Sequence, residues 1–432
     1  MRILVTLFFG MLIAACGSSD PTPGTPSTPS NPTNPVEMRV SAGASHSCVL
    51  LTSGDVRCWG QGADGRLGSG NENNIGDNEP VNVNVNLGGT TATQIATGKT
   101  HTCALLLSGD VRCWGPGSSG KLGLANAANI GDNEIPTSNV DLGGANVTQI
   151  TAGNNHTCAL LSSGNLPGNV RCWGQGTYGQ LGLGNDNDIG NDELPTANVN
   201  LGGATVTQIT AGGYHTCALL STGNVRCWGE GGDGQLGLGN VNDIGDDELP
   251  TANVTLGGAN VTQITAGNNH TCALLSSGSL PGNVRCWGNG TKGQLGLGNG
   301  NSIGDDENPT ANVNLGGTLV KQITAGNNYT CALLSTDNIR CWGINSKGQL
   351  GLGSTVTIGV NGPPLVDINF SSTIVTHVDA GAGGHTCAVF STNDVRCWGF
   401  NFHGQLGLNL GFHSLEFIGD DELPNSVGAI QL

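Results

Sequence analysis

The chain has 432 residues, only 11% of them charged, and a formal net charge of −17 at pH 7. Fifteen basic residues set against 32 acidic ones cannot neutralise many phosphates, which argues against nucleic acid or an anionic membrane surface as a partner. With 73 glycines and so few charges the composition is not that of a helical protein; it predicts an all-β chain of short strands and tight turns.

Arg2 precedes an apolar run from Ile3 to Ala15, which ends at Cys16. The run is shorter than the roughly twenty residues that span a bilayer, so it reads as an export signal. Ile13-Ala14-Ala15-Cys16 resembles the lipobox of bacterial lipoproteins. That resemblance implies lipidation of Cys16, which would anchor the mature chain to a membrane through acyl groups alone. Residues 17–36 are rich in Pro, Ser and Thr, a composition that favours an extended, solvated tether of about 3 Å per residue. The expected order is signal peptide 1–16, tether 17–36 and folded region 37–432. The expected location is the bacterial envelope, at the outer membrane or cell surface, since Gly17 rather than Asp follows the lipidated Cys.

From residue 38 onward one unit recurs seven times. Every tryptophan sits in a Cys-Trp-Gly triplet, at 59, 114, 173, 228, 287, 342 and 398, with spacings of 55 to 59 residues. Six residues after each Trp begins Gly-x-Leu-Gly, as in Gly179-Gln180-Leu181-Gly182. Each unit holds several short apolar runs punctuated by Gly and Asn, the pattern of a small antiparallel sheet. Units of this period with Trp-Gly signatures predict the blades of a seven-bladed β-propeller, whose closure leaves no long sheet edge.

The cysteines measure the hairpins. Fourteen of fifteen form pairs: Cys48-Cys58, Cys103-Cys113, Cys158-Cys172, Cys217-Cys227, Cys272-Cys286, Cys331-Cys341 and Cys387-Cys397. If Cys217 faces Cys227, then Leu219 faces Val225, and Ser221-Thr222-Gly223 remains as a three-residue hairpin loop. Opposed residues bring their Cα atoms within disulfide range. The two pairs fourteen apart add two residues to each strand, and an even insertion keeps both cysteines on one face. Seven intra-blade bridges are expected, formed in an oxidising compartment.

His46, His101, His156, His215, His270 and His385 precede the first Cys of a pair by two residues, with Tyr329 in that place in the sixth unit. A sevenfold repeated group reads as a blade-to-blade hydrogen-bonding spacer, because catalysis needs one asymmetric constellation. Arg57, Arg112, Arg171, Arg226, Arg285, Arg340 and Arg396 precede the second Cys, and internal carboxylates are their expected partners. Six units offer such carboxylates in Ile-Gly-(Asp/Asn)-(Asp/Asn)-Glu, as in Ile244-Gly-Asp-Asp-Glu248. Acidic turn chemistry is the main reading of these segments. Asp186, Asp188, Asp246, Asp247 and Glu248 are weaker candidates for Ca²⁺, which takes oxygen ligands, although their spacing is not that of an EF-hand. No other cofactor is expected.

The unit Ala-Gly-x-x-His-Thr-Cys-Ala-Leu-Leu, then Gly-x-Val-Arg-Cys-Trp-Gly, then Gly-Gln-Leu-Gly resembles the repeat of the regulator of chromosome condensation family. The resemblance covers residues 38–432 and implies a seven-bladed propeller. The family's namesake exchanges guanine nucleotides on a nuclear GTPase and touches chromatin. The export signal, paired cysteines and acidity here depart from that setting, so neither role is expected. Secreted bacterial members of the fold that bind proteins through face loops are the nearer analogy.

Binding sites on repeat scaffolds lie where units differ. The stretch after Cys-Trp-Gly varies most, and Tyr178 lies in it. In the last unit Phe400, Phe402, His403, Phe412, His413 and Phe417 flank the connecting loops. They either form an aromatic contact patch or seal the ring where the last blade meets the first. The expected function is a monomeric scaffold for adhesion or interaction, binding a protein or glycan through one face. A propeller enzyme is the alternative, and one isolated carboxylate or His cluster lining the central channel would favour it.

Overall fold

The computed structural model describes residues 36–162, 168–276, 282–368, 370, 373–409 and 417–432. Seven antiparallel sheets follow one another, each built from consecutive strands. In blade one these are β1 (Arg39–Ala42), β2 (His46–Leu50) and β3 (Val56–Gly60), and the same order recurs through Val395–Phe400. A short outer segment completes each blade. It is represented by a single bridge such as Gly229 to Ile244, or in blade seven by the strand Phe417–Ile418.

The register is the one the cysteine spacing requires. Cys217 opposes Cys227 and Leu219 opposes Val225, while Leu220 N donates to Asn224 O across the three-residue loop. In the longer hairpin Cys158 opposes Cys172 and Leu160 opposes Val170, so the even insertion preserves the pairing. All seven predicted disulfides are formed, each joining Cα atoms 4.1 Å apart. The second strands are buried on both faces, as in His215–Leu220, because blades stack against each other on either side.

The core is a chain of like clusters, one at each interface from blade one to blade six and a larger one spanning both interfaces of blade seven. That between blades three and four joins Cys158, Leu160 and Val170 of one to Ile209, Ala218, Leu220 and Trp228 of the next. Each of the seven Trp is 0% exposed. Burying a ring of that size contributes up to about 5 kcal/mol. Glycine sets the closest approach: an added Cβ at Gly212 would lie 2.5 Å from Gly267 O of the next blade. Blade seven packs on blade one in the same way, and among the described residues no strand is exchanged across that closure.

Candidate functional site

Two ends of each blade face opposite ways. At one lie the turn between the first and second strands and the loop after Cys-Trp-Gly, here termed the turn face. The hairpin loops, such as 221–223, lie at the other.

Beneath the turn face runs a continuous ring of hydrogen bonds. His46, His101, His156, His215, His270 and His385 are fully buried. Each Nε2 lies 2.8–3.0 Å from the hydroxyl of Thr102, Thr157, Thr216, Thr271, Thr330 or Ser47 in the next blade. Those hydroxyls give their own proton to a backbone carbonyl, as Thr216 does to Gln180 O at 2.9 Å. The imidazole must therefore donate, which fixes the proton on Nε2. Nδ1 is buried and has no partner among the described residues in all six. Burial pushes His46, His215, His270 and His385 down to about 3 and His156 to about 4, and holds His101 well below the ordinary imidazole range. Tyr329 fills the same place by donating to His385 O at 2.6 Å. The histidines are thus the inter-blade spacers expected from their repetition. The Trp indole uses the same acceptor, as Trp228 Nε1 donates to Gln180 O at 3.0 Å.

The repeated arginines do not pair with the Ile-Gly-Asp-Asp-Glu carboxylates. Nε of Arg57, Arg112, Arg171, Arg226 and Arg285 donates at 2.7–2.8 Å to Asn84, Asn139, Asn198, Asn253 and Asn312. Four of them also donate from NH1 to a Leu carbonyl, as Arg226 does to Leu201 O. Among the described residues only Arg340 has a carboxylate in the corresponding place, with Nε 2.6 Å from Asp367. The acidic segment instead curls on itself: Gly190 N donates to Glu193 at 2.8 Å and Gly419 N to Glu422 at 3.3 Å. Its position on the outer segment keeps it out of reach of the arginine.

The axial channel, a cavity of about 300 Å³, is walled by the first strand of every blade. The amides of Gln94, Gln149, Gln208, Gln263 and Gln322 each clasp one peptide of the next blade. Gln149 Nε2 donates to Ile209 O at 3.0 Å and its Oε1 accepts from Ile209 N at 2.9 Å. Blade seven places His377 and Asp379 where five of the other six blades have Gln and four have Thr. His377 lies 3.1 Å from Gln322 Nε2 on one side and 3.1 Å from Val40 O on the other. Asp379 accepts from Thr324 at 2.9 Å and from Ala42 N at 2.8 Å. Burial pushes Asp379 up to about 6, against the pull of those donors. It also pushes His377 down to about 4, with Arg39 adding to the effect.

The aromatic residues of blade seven divide. Phe370 and Phe390 are buried, edge to face at 5.0 Å, and Phe370 packs on Trp398. On the turn face Phe402 is 55% exposed. Its ring is parallel to that of Phe400 at 6.3 Å, with Phe417 5.9 Å beyond and His403 edge-on at 5.1 Å. Lys347 of blade six lies 4.2 Å over the Phe400 ring. Phe412 and His413 fall outside the described residues. Tyr178 is not part of this group; it meets Tyr214 edge to face at 5.3 Å on blades three and four.

A family model described as an RCC1-like domain matches residues 13–311, and one for the regulator of chromosome condensation (RCC1) repeat matches 320–349 and 375–405. The chain belongs to the RCC1-like family. The ultraviolet-B receptor UVR8 of Arabidopsis thaliana is 33% identical over 373 residues, covering 85% of this chain and 78% of the receptor. The mitochondrial RCC1 domain-containing protein RUG3 of the same plant is 31% identical over 336 residues, 77% and 70% of the two chains. Human WBSCR16 superposes with a TM-score of 0.69 at 20% identity, over 88% of this chain and 94% of that one. Prp20p of Saccharomyces cerevisiae gives 0.68 at 22%, over 88% and 86%.

Within this RCC1-like ring the calcium candidates separate. The carboxylates of Asp246, Asp247 and Glu248 lie within 4.8 Å of one another, as do those of 305–307 and 420–422. Asp188 is elsewhere, accepting from Gly176 N at 2.9 Å as a turn brace. Crowding of like charge with partial burial pushes Glu248 up to about 7. The glutamine clasps were not anticipated from the residues. Gln in Thr-Gln-Ile alternates with apolar neighbours, as the solvent side of a strand would, although its recurrence in five units was in plain view.

Proposed function

We propose that this protein is an exported, lipid-anchored member of the RCC1-like family that serves at a bacterial envelope as a protein-binding scaffold. Phe402 carries the reading. The other six units hold Ala63, Ser118, Thr177, Gly232, Thr291 and Ser346 at that position, so the blade has no structural need of a phenyl ring there. An aromatic ring left half in water beside Phe400 and a cation has the composition of an interface anchor. Prp20p, a protein of the same fold, is described with its binding to Gsp1p and histones, which supports a protein partner in general and neither of those in particular. Catalysis is disfavoured because His377 and Asp379, the asymmetric pair in the channel, already spend their polar atoms on neighbouring blades. Lipidation of Cys16 and the tether supply the anchoring.

Crosslinking in intact cells, with wild type compared against Phe402→Ala, tests the interface. The expected result is a discrete adduct whose yield falls roughly tenfold in the variant, at an unchanged melting temperature. A melting temperature lowered along with the adduct would mean that the ring only seals the blade. Cys16→Ser, expected to release the protein from the membrane fraction, tests the anchor separately.

A further inference from the structure

The two-point clasp between a channel Gln and the next blade's peptide is made at five of the seven interfaces. Both interfaces of β1 lack it. Towards blade two, Arg39 occupies the Gln position but turns to Glu37 at 2.9 Å. The link that remains is Ser41, which accepts from Thr97 N at 3.1 Å and shares a proton with its hydroxyl. Towards blade seven, His377 reaches only Val40 O, and Asp379 only Ala42 N.

β1 is also the shortest first strand, four residues where the others have six. The strand itself buries Val40 and Ala42, with Met38 buried just before it, whereas Val206–Ala211 buries Val206, Ile209 and Ala211 within the strand. No covalent link joins blade seven to blade one, so the closure beside β1 is held by packing and hydrogen bonds alone. The rest of blade one is better secured. Cys48–Cys58 ties β2 to β3, His385 meets Ser47 at 2.8 Å, Trp59 Nε1 donates to Gln405 O at 2.9 Å, and His46 meets Thr102 at 2.9 Å.

We propose that β1 is a latch: the ring opens by release of β1 from blades seven and two while every other strand stays in place, and the Cys48–Cys58 bridge stops the release at β2. Release removes one stave of the channel wall and bares the inner edge of β2, whose free backbone groups would accept an added strand. Residues 36–38 lead directly into β1, with Met38 buried, so tension on the N-terminal side would load this segment and strand before any other. The inference rests on the ring's own bonding and stands or falls independently of the anchor and of the Phe402 interface.

Hydrogen exchange read by mass spectrometry on the full-length oxidised protein, near neutral pH without denaturant, tests it. Peptides covering 38–43 are expected to exchange at least tenfold faster than those covering 147–152, 206–211 and 261–266, and before any global unfolding. Arg39→Gln restores the clasping side chain opposite Ile95 and should slow that exchange severalfold, leaving the other strands unchanged. Equal protection of 38–43 and the other first strands would overturn the proposal. So would exchange of 38–43 only together with the whole ring. An Arg39→Gln variant that folds, with all bridges formed, but exchanges like wild type would overturn it as well. If that variant fails to fold, the wild-type comparison decides alone.

Discussion

Acid should unfold this ring steeply, and the histidine layer sets where. Each of the six buried imidazoles is neutral in the fold, with its proton on Nε2 and a buried Nδ1 that has no partner among the described residues. In the unfolded chain the same groups titrate near 6.5. A folded-state value held far below the unfolded one means that the unfolded chain takes up protons first. Their stabilising contribution is therefore complete above about 6.5 and is lost as pH falls from there towards about 3 or 4. At about pH 5 each costs about 2 kcal/mol, and six together about 12 kcal/mol, comparable with the whole stability of an ordinary domain. Asp379 and the raised glutamates act in the opposite sense, since their folded forms hold protons more tightly; they offset part of this loss. The discriminating variant copies the sixth blade. His215→Tyr replaces a titrating spacer with the group that Tyr329 already uses there. Urea denaturation of the oxidised protein, followed by far-ultraviolet circular dichroism at about pH 7 and about pH 5, measures the pH penalty. That penalty should be about 2 kcal/mol smaller in the variant than in wild type. An identical pH penalty in the two proteins would refute the assignment of the proton to the imidazole.

Two further outcomes follow from the bonding. Replacing Cys217 and Cys227 together by serine opens a loop of eleven residues and should cost about 3 kcal/mol in the chain-entropy account, read as a lower urea midpoint; an unshifted midpoint would mean the bridge contributes nothing. Asn253→Ala removes the partner of Arg226 Nε and should cost about 1 kcal/mol. Asp246→Asn, which alters one of the carboxylates first expected to pair with the repeated arginines, should change stability by less than about 0.5 kcal/mol; the reverse order would restore the carboxylate pairing.

The parts of the fold that were legible in the residues are those controlled by parity. Alternation across a strand has period two, so the even insertions in the third and fifth hairpins could only keep Cys158 opposite Cys172 and Cys272 opposite Cys286. Repetition likewise identified the histidines as spacers, since a group present in six of seven units serves what all units share. The arginine partners were misread because opposite charge was taken as the guide. The segment 27 residues onward that meets Arg226 is uncharged, and its Asn253 accepts from the planar donor through the side-chain amide oxygen. The channel could not be read at all, since Gln beside apolar residues has the same pattern whether a strand faces bulk water or an axis.

A ring of near-identical units deviates for two reasons, closure and function, and the partners of the deviating side chains separate them. His377, Asp379, Phe370 and Phe390 all differ from their counterparts, and all four are consumed inside the ring: the first two by Gln322, Thr324 and the backbone of blade one, the others by Trp398 and each other. The asymmetry of His377 and Asp379 belongs to the place where the last blade must meet a shortened first strand, while Phe370 and Phe390 repack the side of blade seven that faces blade six. By the same criterion Asp379, a carboxylate in the channel wall of the kind that would favour an enzyme, is explained by closure. Phe402 fails this criterion. More than half of it is in water, its counterparts are small, and its neighbours Phe400 and His403 do not cover it. Exposure of that ring costs about 1–2 kcal/mol that no contact among the described residues recovers, so the compensating contact is to be sought in another molecule.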